Sequence, residues 1–374
     1  MRTLKNILFV VLCLTGLMAC SSNDDLVGDW AISRQFPGKA RVGAVSFVIG
    51  DKAYVGLGID QENYEKSDFW EFNGTQWRQV APFLGAARYG AVAFSDGQYG
   101  YVGLGYAPRT AVEGGSILKE EWFTDFWRFD PEGSTTDPTD PEVIYAGSWT
   151  KIESPFRGRT RIFATAFYLP GTGKAYVGTG RAESNYGTLA DMWEFDVESQ
   201  TWATTEYYPG FNSREGAVNW VMNGCAYIAL GVTGTSYAND VWRFDPTQPE
   251  GLQWVELDKL KDTKDIKYDK HYPNIIRKYA VAFVVGEGSA ARAYIAAGSS
   301  TTLKSDAWEY DPTRENGKGR WEDVTGMPVQ RQQAVAFVIN GVPYVTTGGA
   351  SIESGNQSTY TFTPNVDDDE YNND

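Results

Sequence analysis

Beyond residue 28 the chain is written in short alternating runs of apolar and polar residues, separated by glycine, proline and aspartate. Alternation with period two marks a half-buried strand, because successive side chains point to opposite faces. No stretch of the body sustains the recurrence of an amphipathic helix. The runs also repeat as a set, one unit coming round six times, each opening on an arginine. The openings are Arg41-Val-Gly-Ala-Val-Ser-Phe, Arg88-Tyr-Gly-Ala-Val-Ala-Phe, Arg161-Ile-Phe-Ala-Thr-Ala-Phe, Arg214-Glu-Gly-Ala-Val-Asn-Trp, Arg277-Lys-Tyr-Ala-Val-Ala-Phe and Arg331-Gln-Gln-Ala-Val-Ala-Phe. Successive arginines lie 47, 73, 53, 63 and 54 residues apart, and the extra length falls in Gly- and charge-rich stretches, as loop insertions do.

Each opening is followed by a tyrosine with a glycine four residues on: Tyr54 and Gly58, Tyr101 and Gly105, Tyr176 and Gly180, Tyr227 and Gly231, Tyr294 and Gly298, Tyr344 and Gly348. Small residues beside them (Gly56, Gly103, Gly178, Ala229, Ala296) predict close packing near a crowded axis. A third segment reads Asp-x-Trp-x-aromatic at Asp68, Asp125, Asp191, Asp240 and Asp306, and degrades to Ser358, Tyr360, Phe362 in the last unit. A second tryptophan (Trp77, Trp149, Trp202, Trp254, Trp321) marks a fourth segment. Four short strands per unit, with turns rich in Gly, Pro and Asp, predict an all-β chain of propeller blades.

The order arginine, Tyr–Gly, Asp–Trp, tryptophan at roughly fifty-residue spacing resembles the kelch repeat, over about residues 29–363. The resemblance implies a six-bladed kelch-type β-propeller. One departure stands out: the usual Gly-Gly doublet is reduced to its second glycine, with Leu57, Leu104, Thr179, Leu230, Ala297 and Thr347 at the first position. The sixth unit lacks its second tryptophan after Phe362, while an orphan stands early, in Gly28-Asp29-Trp30. An N-terminal strand is therefore expected to close the last blade, since an open ring would expose a sheet edge. Residues 364–374, carrying Asp367-Asp368-Asp369-Glu370, read as an acidic disordered tail.

The first residues read as an address. Arg2 and Lys5 precede an apolar stretch from Ile7 to Ala19, too short to span a bilayer but suited to a secretory leader. It ends Leu17-Met18-Ala19-Cys20, which resembles the lipobox of bacterial lipoproteins and implies a signal peptide over 1–19, acylation of Cys20 and a tether over 20–28. Ser21 after the cysteine resembles outer-membrane sorting in a Gram-negative cell, and Ser22-Asn23-Asp24-Asp25 is similar to cell-surface export tethers. A formal charge of −15 sets nucleic acid aside as a partner, because phosphate binders need a basic face. One histidine and three cysteines, of which Cys225 alone would stay free, exclude a His/Cys zinc site and a disulfide framework.

In an up-and-down blade with strands a to d, the b–c and d–a connections share a face. The b–c loops carry Tyr64, Trp122, Tyr186 and Tyr237, with Arg109, Arg181 and Glu183. The residue after each opening arginine (Val42, Tyr89, Ile162, Glu215, Lys278, Gln332) belongs near the channel mouth. The long d–a connection 256–276 could form a lid, and the Asp/Pro/Thr-rich c–d loop at 131–146 on the opposite face is expected to be inert. Rim aromatics mixed with polar groups point to a non-catalytic, surface-tethered monomer that recognises a glycan or an envelope protein and meets the membrane through its lipid alone. The expected rim is Tyr64, Tyr89, Trp122, Arg181, Tyr186, Glu215, Tyr237 and Lys278, with no cofactor or metal. Copper radical chemistry of the kind that galactose-oxidase-like kelch proteins perform needs two histidines, and His271 is single. The surviving enzyme alternative resembles the metal-independent sialic-acid mutarotase kelch proteins, which work with a Glu and an Arg; Glu215 or Glu183 with Arg181 could supply that pair.

Overall fold

The structure, a computed structural model, describes residues 26–111, 118–183, 186–203, 207, 209–262 and 271–367; Cys20, residues 263–270 of the expected lid and the end of the acidic tail lie outside them. Six four-stranded antiparallel sheets stand around an axis. Blade 1 is typical, its strands a to d being Val45–Ile49, Lys52–Gly56, Phe69–Phe72 and Trp77–Val80. Each innermost strand touches the next, and the last touches the first. The chain is an all-β, six-bladed propeller.

Within every blade an aromatic on strand a stacks across the ladder on the tyrosine of strand b. Phe47 and Tyr54 are register partners with ring centroids 5.3 Å apart. Phe94–Tyr101, Phe167–Tyr176, Trp220–Tyr227, Phe283–Tyr294 and Phe337–Tyr344 repeat the pair. Between blades the strand-d tryptophan bridges to its neighbour: Trp149 of blade 2 packs on Phe69 and Phe83 of blade 1. Aromatic pairs of this kind contribute about 0.5–1.5 kcal/mol each beyond their buried area.

The six opening arginines are fully buried. In blade 1 the Arg41 guanidinium donates to both Asp68 carboxylate oxygens, at 2.6 and 2.8 Å, and to the Leu57 carbonyl. Trp70 Nε1 donates to the same carboxylate at 2.8 Å. Arg88–Asp125–Trp127, Arg161–Asp191–Trp193 and Arg214–Asp240–Trp242 reproduce this latch, and Arg277–Asp306–Trp308 does so with one carboxylate oxygen. Burial alone would raise the Asp68, Asp125, Asp191 and Asp240 carboxyls, but the arginine hydrogen bonds and charges outweigh it and hold all four below the ordinary range. Blade 6 lacks the aspartate: Arg331 donates to the Ser358 hydroxyl, and burial pushes its guanidinium down to about 10.

The first position of each reduced glycine doublet carries a left-handed backbone, φ running from 58° to 65° at Leu57, Leu104, Thr179, Leu230, Ala297 and Thr347. L-residues hold this conformation at a cost of about 1–2 kcal/mol, which glycine would not incur. The second glycine is sterically fixed: a Cβ on Gly58 would lie 2.8 Å from the Val42 carbonyl oxygen. Its N–H donates to the Arg88 carbonyl of the next blade, and the equivalent bonds run round the ring to Gly348 on Arg41.

Val27–Ile32 is the outer strand of blade 6, with Trp30 opposite Phe362. Trp30 stacks on that ring at 4.8 Å and donates to the Thr325 carbonyl of blade 5. Pairing continues to Val27 opposite Asp367, so strand c of this blade takes in residues up to 367. Two expectations are corrected. Residues 131–146 are largely a strand-extended hairpin, Phe126–Thr136 on Ile144–Lys151, because Ser134 to Thr136 continue the ladder after a bulge. The small strand-b residues do not crowd the axis; a Cβ on Gly56 would strike the Phe69 ring at 2.4 Å. The axis is lined instead by the residue that precedes each strand a (Ala44, Ala91, Ala164, Ala217, Ala280 and Ala334) and by the first residues of those strands, which border a cavity of about 200 Å³.

Trp30→Ala removes a buried ring that joins the termini and should cost about 3–5 kcal/mol, lowering the thermal midpoint about as much as Trp202→Ala. An unchanged midpoint would contradict the closure. The latch carboxyls are depressed in the folded chain, so their stabilisation is full above the unfolded value of about 3.9 and is lost as pH falls through the folded values. The midpoint should hold from about pH 8 to 5 and fall below about pH 4. Asp240→Asn should start lower at pH 7, by about 3–5 kcal/mol, and fall less steeply in acid. Parallel acid limbs would exclude the latch as the titrating element.

Candidate functional site

On the face of the b–c loops, the residue two places after each opening arginine also has a left-handed backbone: Gly43, Gly90, Phe163, Gly216, Tyr279 and Gln333, with φ from 51° to 64°. Each donates its N–H to the carbonyl of the preceding one, from Gly90 on Gly43 round to Gly43 on Gln333, at 2.9–3.1 Å. This closed circle of six backbone hydrogen bonds spans all the blades and floors the channel mouth. Three of its positions are glycine, and large rings lie over them. A Cβ on Gly43 would meet Tyr89 at 3.0 Å, and one on Gly216 would meet Tyr279 at 2.5 Å. Phe163 and Tyr279 hold the left-handed conformation without glycine's freedom, strain of the kind that gathers at functional sites.

The next layer is set by bridges that pin the residue after each arginine to the start of its own b–c loop: Tyr89 on Tyr106, Ile162 on Arg181, Glu215 on Val232, Lys278 on Ser299. Arg181 and Glu215 are thereby brought together from blades 3 and 4, Nε to Oε2 at 2.9 Å, the carboxylate mostly buried and the guanidinium half exposed. Around them runs an aromatic arc. Trp122 packs at a tilt on Tyr106 at 4.6 Å, Tyr106 meets Tyr89 edge to face at 5.8 Å, Tyr89 meets Phe163 edge to face at 5.9 Å and Phe163 packs at a tilt on Tyr279 at 4.7 Å. Burial and then the Glu215 charge push the Tyr279 hydroxyl up, against Arg181. Burial likewise raises Tyr89, again against Arg181, and burial with Glu120 takes Tyr106 up to about 12. All three stay protonated near neutrality and can donate hydrogen bonds.

The expected rim residues divide. Tyr89, Trp122, Arg181 and Glu215 converge on the mouth. Lys278 lies beside it, its ammonium 4.9 Å from the Tyr279 ring centroid. Tyr237 is tied outward to the Ser300 carbonyl of the next blade at 2.8 Å. Tyr64 and Tyr186 are exposed and pack under Lys66 and Arg159 on their own sectors. Glu183 accepts from Thr160 at 2.8 Å, and among the described residues the ion pair of Arg181 is with Glu215. Val42 and Ile162 are buried. Sequence reasoning missed Tyr106, Phe163 and Tyr279. The signal was present for two of them, since Phe163 and Tyr279 stand where three other units carry glycine.

Among the described residues no group of three or more His, Cys, Asp or Glu side chains is placed to hold a metal ion. No family model matches the chain, and no curated protein does. The solved structure of YjhT superposes with a TM-score of 0.66 over 88% of this chain and 96% of that one, at 15% identity. The likeness is one of fold. At that identity the chemistry of the mouth rests on this chain's own residues.

Gly216→Ala would drive a Cβ into the Tyr279 ring on a left-handed backbone, whereas Gly224→Ala meets open space at a similar φ of 75°. The second should cost about 1–2 kcal/mol, and the first clearly more, with a changed near-ultraviolet dichroism from the displaced rings. Equal midpoints for the two variants would show that Tyr279 is not seated as described.

Proposed function

We propose that this protein is a tethered binding module that captures a carbohydrate at the channel mouth. The observation that carries this reading is the arc Trp122–Tyr106–Tyr89–Phe163–Tyr279 around the Arg181–Glu215 pair. A sugar offers apolar C–H faces edged by hydroxyls. Aromatic faces take the first, and a carboxylate, a guanidinium and protonated tyrosine hydroxyls take the second. The placement of the tether agrees with capture from outside. Val27–Ile32 enters at the end where Val27 faces Asp367, the c–d end, and the mouth is at the other. A lipid on Cys20 would hold the opposite face toward an outer membrane, within about 25 Å at some 3.3–3.6 Å per residue over the seven steps to Val27.

One contact favours a second reading, metal-independent chemistry on a sugar. Glu215 interacts with both Arg181 and the Tyr279 hydroxyl, so a carboxylate and a neutral phenol stand together where a ring oxygen could exchange a proton. Tyr89→Ala with Trp122→Ala should weaken sugar binding about tenfold or more, a loss of about 1.4 kcal/mol or above, with the fold intact by circular dichroism. Calorimetry after a glycan-array screen checks this. Blank arrays at millimolar sugar, or a double variant that binds like the wild type, would end the binding reading. Anomer exchange seen by NMR in the wild type and lost in Glu215→Gln would establish the enzymatic one.

A further inference from the structure

Blade 3 carries a charge pattern that its sisters do not. Two and four residues before the opening arginine it has Arg159 and Arg157, where the other blades place Lys39 and Pro37, Ala86 and Leu84, Asn212 and Gly210, Ile275 and Pro273, and Val329 and Met327. Both arginines are exposed, and among the described residues neither forms an ion pair, in a chain of net charge −15. They form one wall of a groove of about 580 Å³ whose other wall is Thr188, Leu189 and Ala190. The acid in that groove, Asp191, is already neutralised, its oxygens accepting from Arg161 at 2.8 and 2.7 Å and from Trp193 at 2.8 Å. Arg159 is held with its guanidinium 3.9 Å from the Tyr186 ring centroid, which orders it in advance. Thr188 pairs along the backbone with Arg181, so the groove runs directly beside the mouth.

We infer that this groove is an anion-reading subsite for a carboxylated glycan chain, whose acidic groups meet Arg157 and Arg159 while a neighbouring sugar unit occupies the mouth. The inference rests on the carbohydrate reading above. A planar guanidinium matches a carboxylate with two parallel hydrogen bonds. Charges beyond a Debye length of about 8 Å are largely screened, so the field of the groove is set by its own two arginines and by Glu183, which is tied to Thr160 at 2.8 Å, rather than by the net charge of the chain. Continuity with the mouth favours a glycan over an acidic peptide, because the mouth's packed rings and hydroxyls suit sugar units.

The test compares a galacturonic acid hexamer, a neutral cellohexaose and a hexaglutamate peptide, titrated into the wild type and into Arg157→Gln/Arg159→Gln. The wild type should bind the uronate at least about tenfold tighter than the neutral hexamer at low salt, with the gap closing as salt rises. The double variant should lose that preference, keep its affinity for the neutral hexamer and melt like the wild type. Equal binding of the two hexamers by the wild type, or a preference that survives in the double variant, would overturn the groove and leave the mouth standing. Hexaglutamate bound more tightly than the uronate would overturn the choice of a glycan. No binding of either sugar would bring down the mouth reading and this one together.

Discussion

A buried guanidinium needs its charge and its donors answered, and this ring is organised around that requirement. Each latch takes an arginine from the start of strand a, an aspartate from the start of strand c and the carbonyl that ends strand b, and joins the three at one point. The tryptophan two residues after the aspartate bonds to the same carboxylate, which aims its ring into the packing between blades. The b–c loops, and every residue at the mouth, hang from these points. Breaking a buried pair of this kind typically costs about 3–5 kcal/mol, because the partner is left charged without compensation.

Repetition makes the ring, and departures from repetition make the surface. The backbone hydrogen bonds around the channel close identically in all six blades, whatever side chain each position carries. A position where glycine is free of strain carries Phe163, Tyr279 and Gln333 in three blades, and the first two rings roof the channel beside Arg181 and Glu215. Blade 6 departs in another way: Ser358 replaces the latch aspartate, and Arg331 relies on hydroxyl and carbonyl acceptors. This is also the blade assembled from both ends of the chain, so its cohesion draws on Trp30, Phe362 and Phe283 rather than on an ion pair.

Much of this was written in the sequence. The six-fold repeat, the strand count, the all-β class and the closure by Trp30 follow from local periodicity and from one missing tryptophan, because a strand's two faces are fixed by alternation alone. The candidate site was legible in part. Strand direction put Tyr89, Trp122, Arg181 and Glu215 on one face, since the side of the ring on which a loop emerges depends only on the order of strands.

Tertiary structure decided the rest. That Arg181 pairs with Glu215 and not with Glu183, two residues away in sequence, depends on the angle between blades 3 and 4, to which no local pattern is sensitive. That Tyr64, Tyr186 and Tyr237 turn away while Tyr89 and Tyr279 turn inward depends on which ring finds space over a neighbouring blade's glycine. The sequence by itself determined which residues share a blade and a face, because strand geometry is local. Which of them meet across the axis was determined by the closing of the ring, since contact between blades exists only once all six are in place.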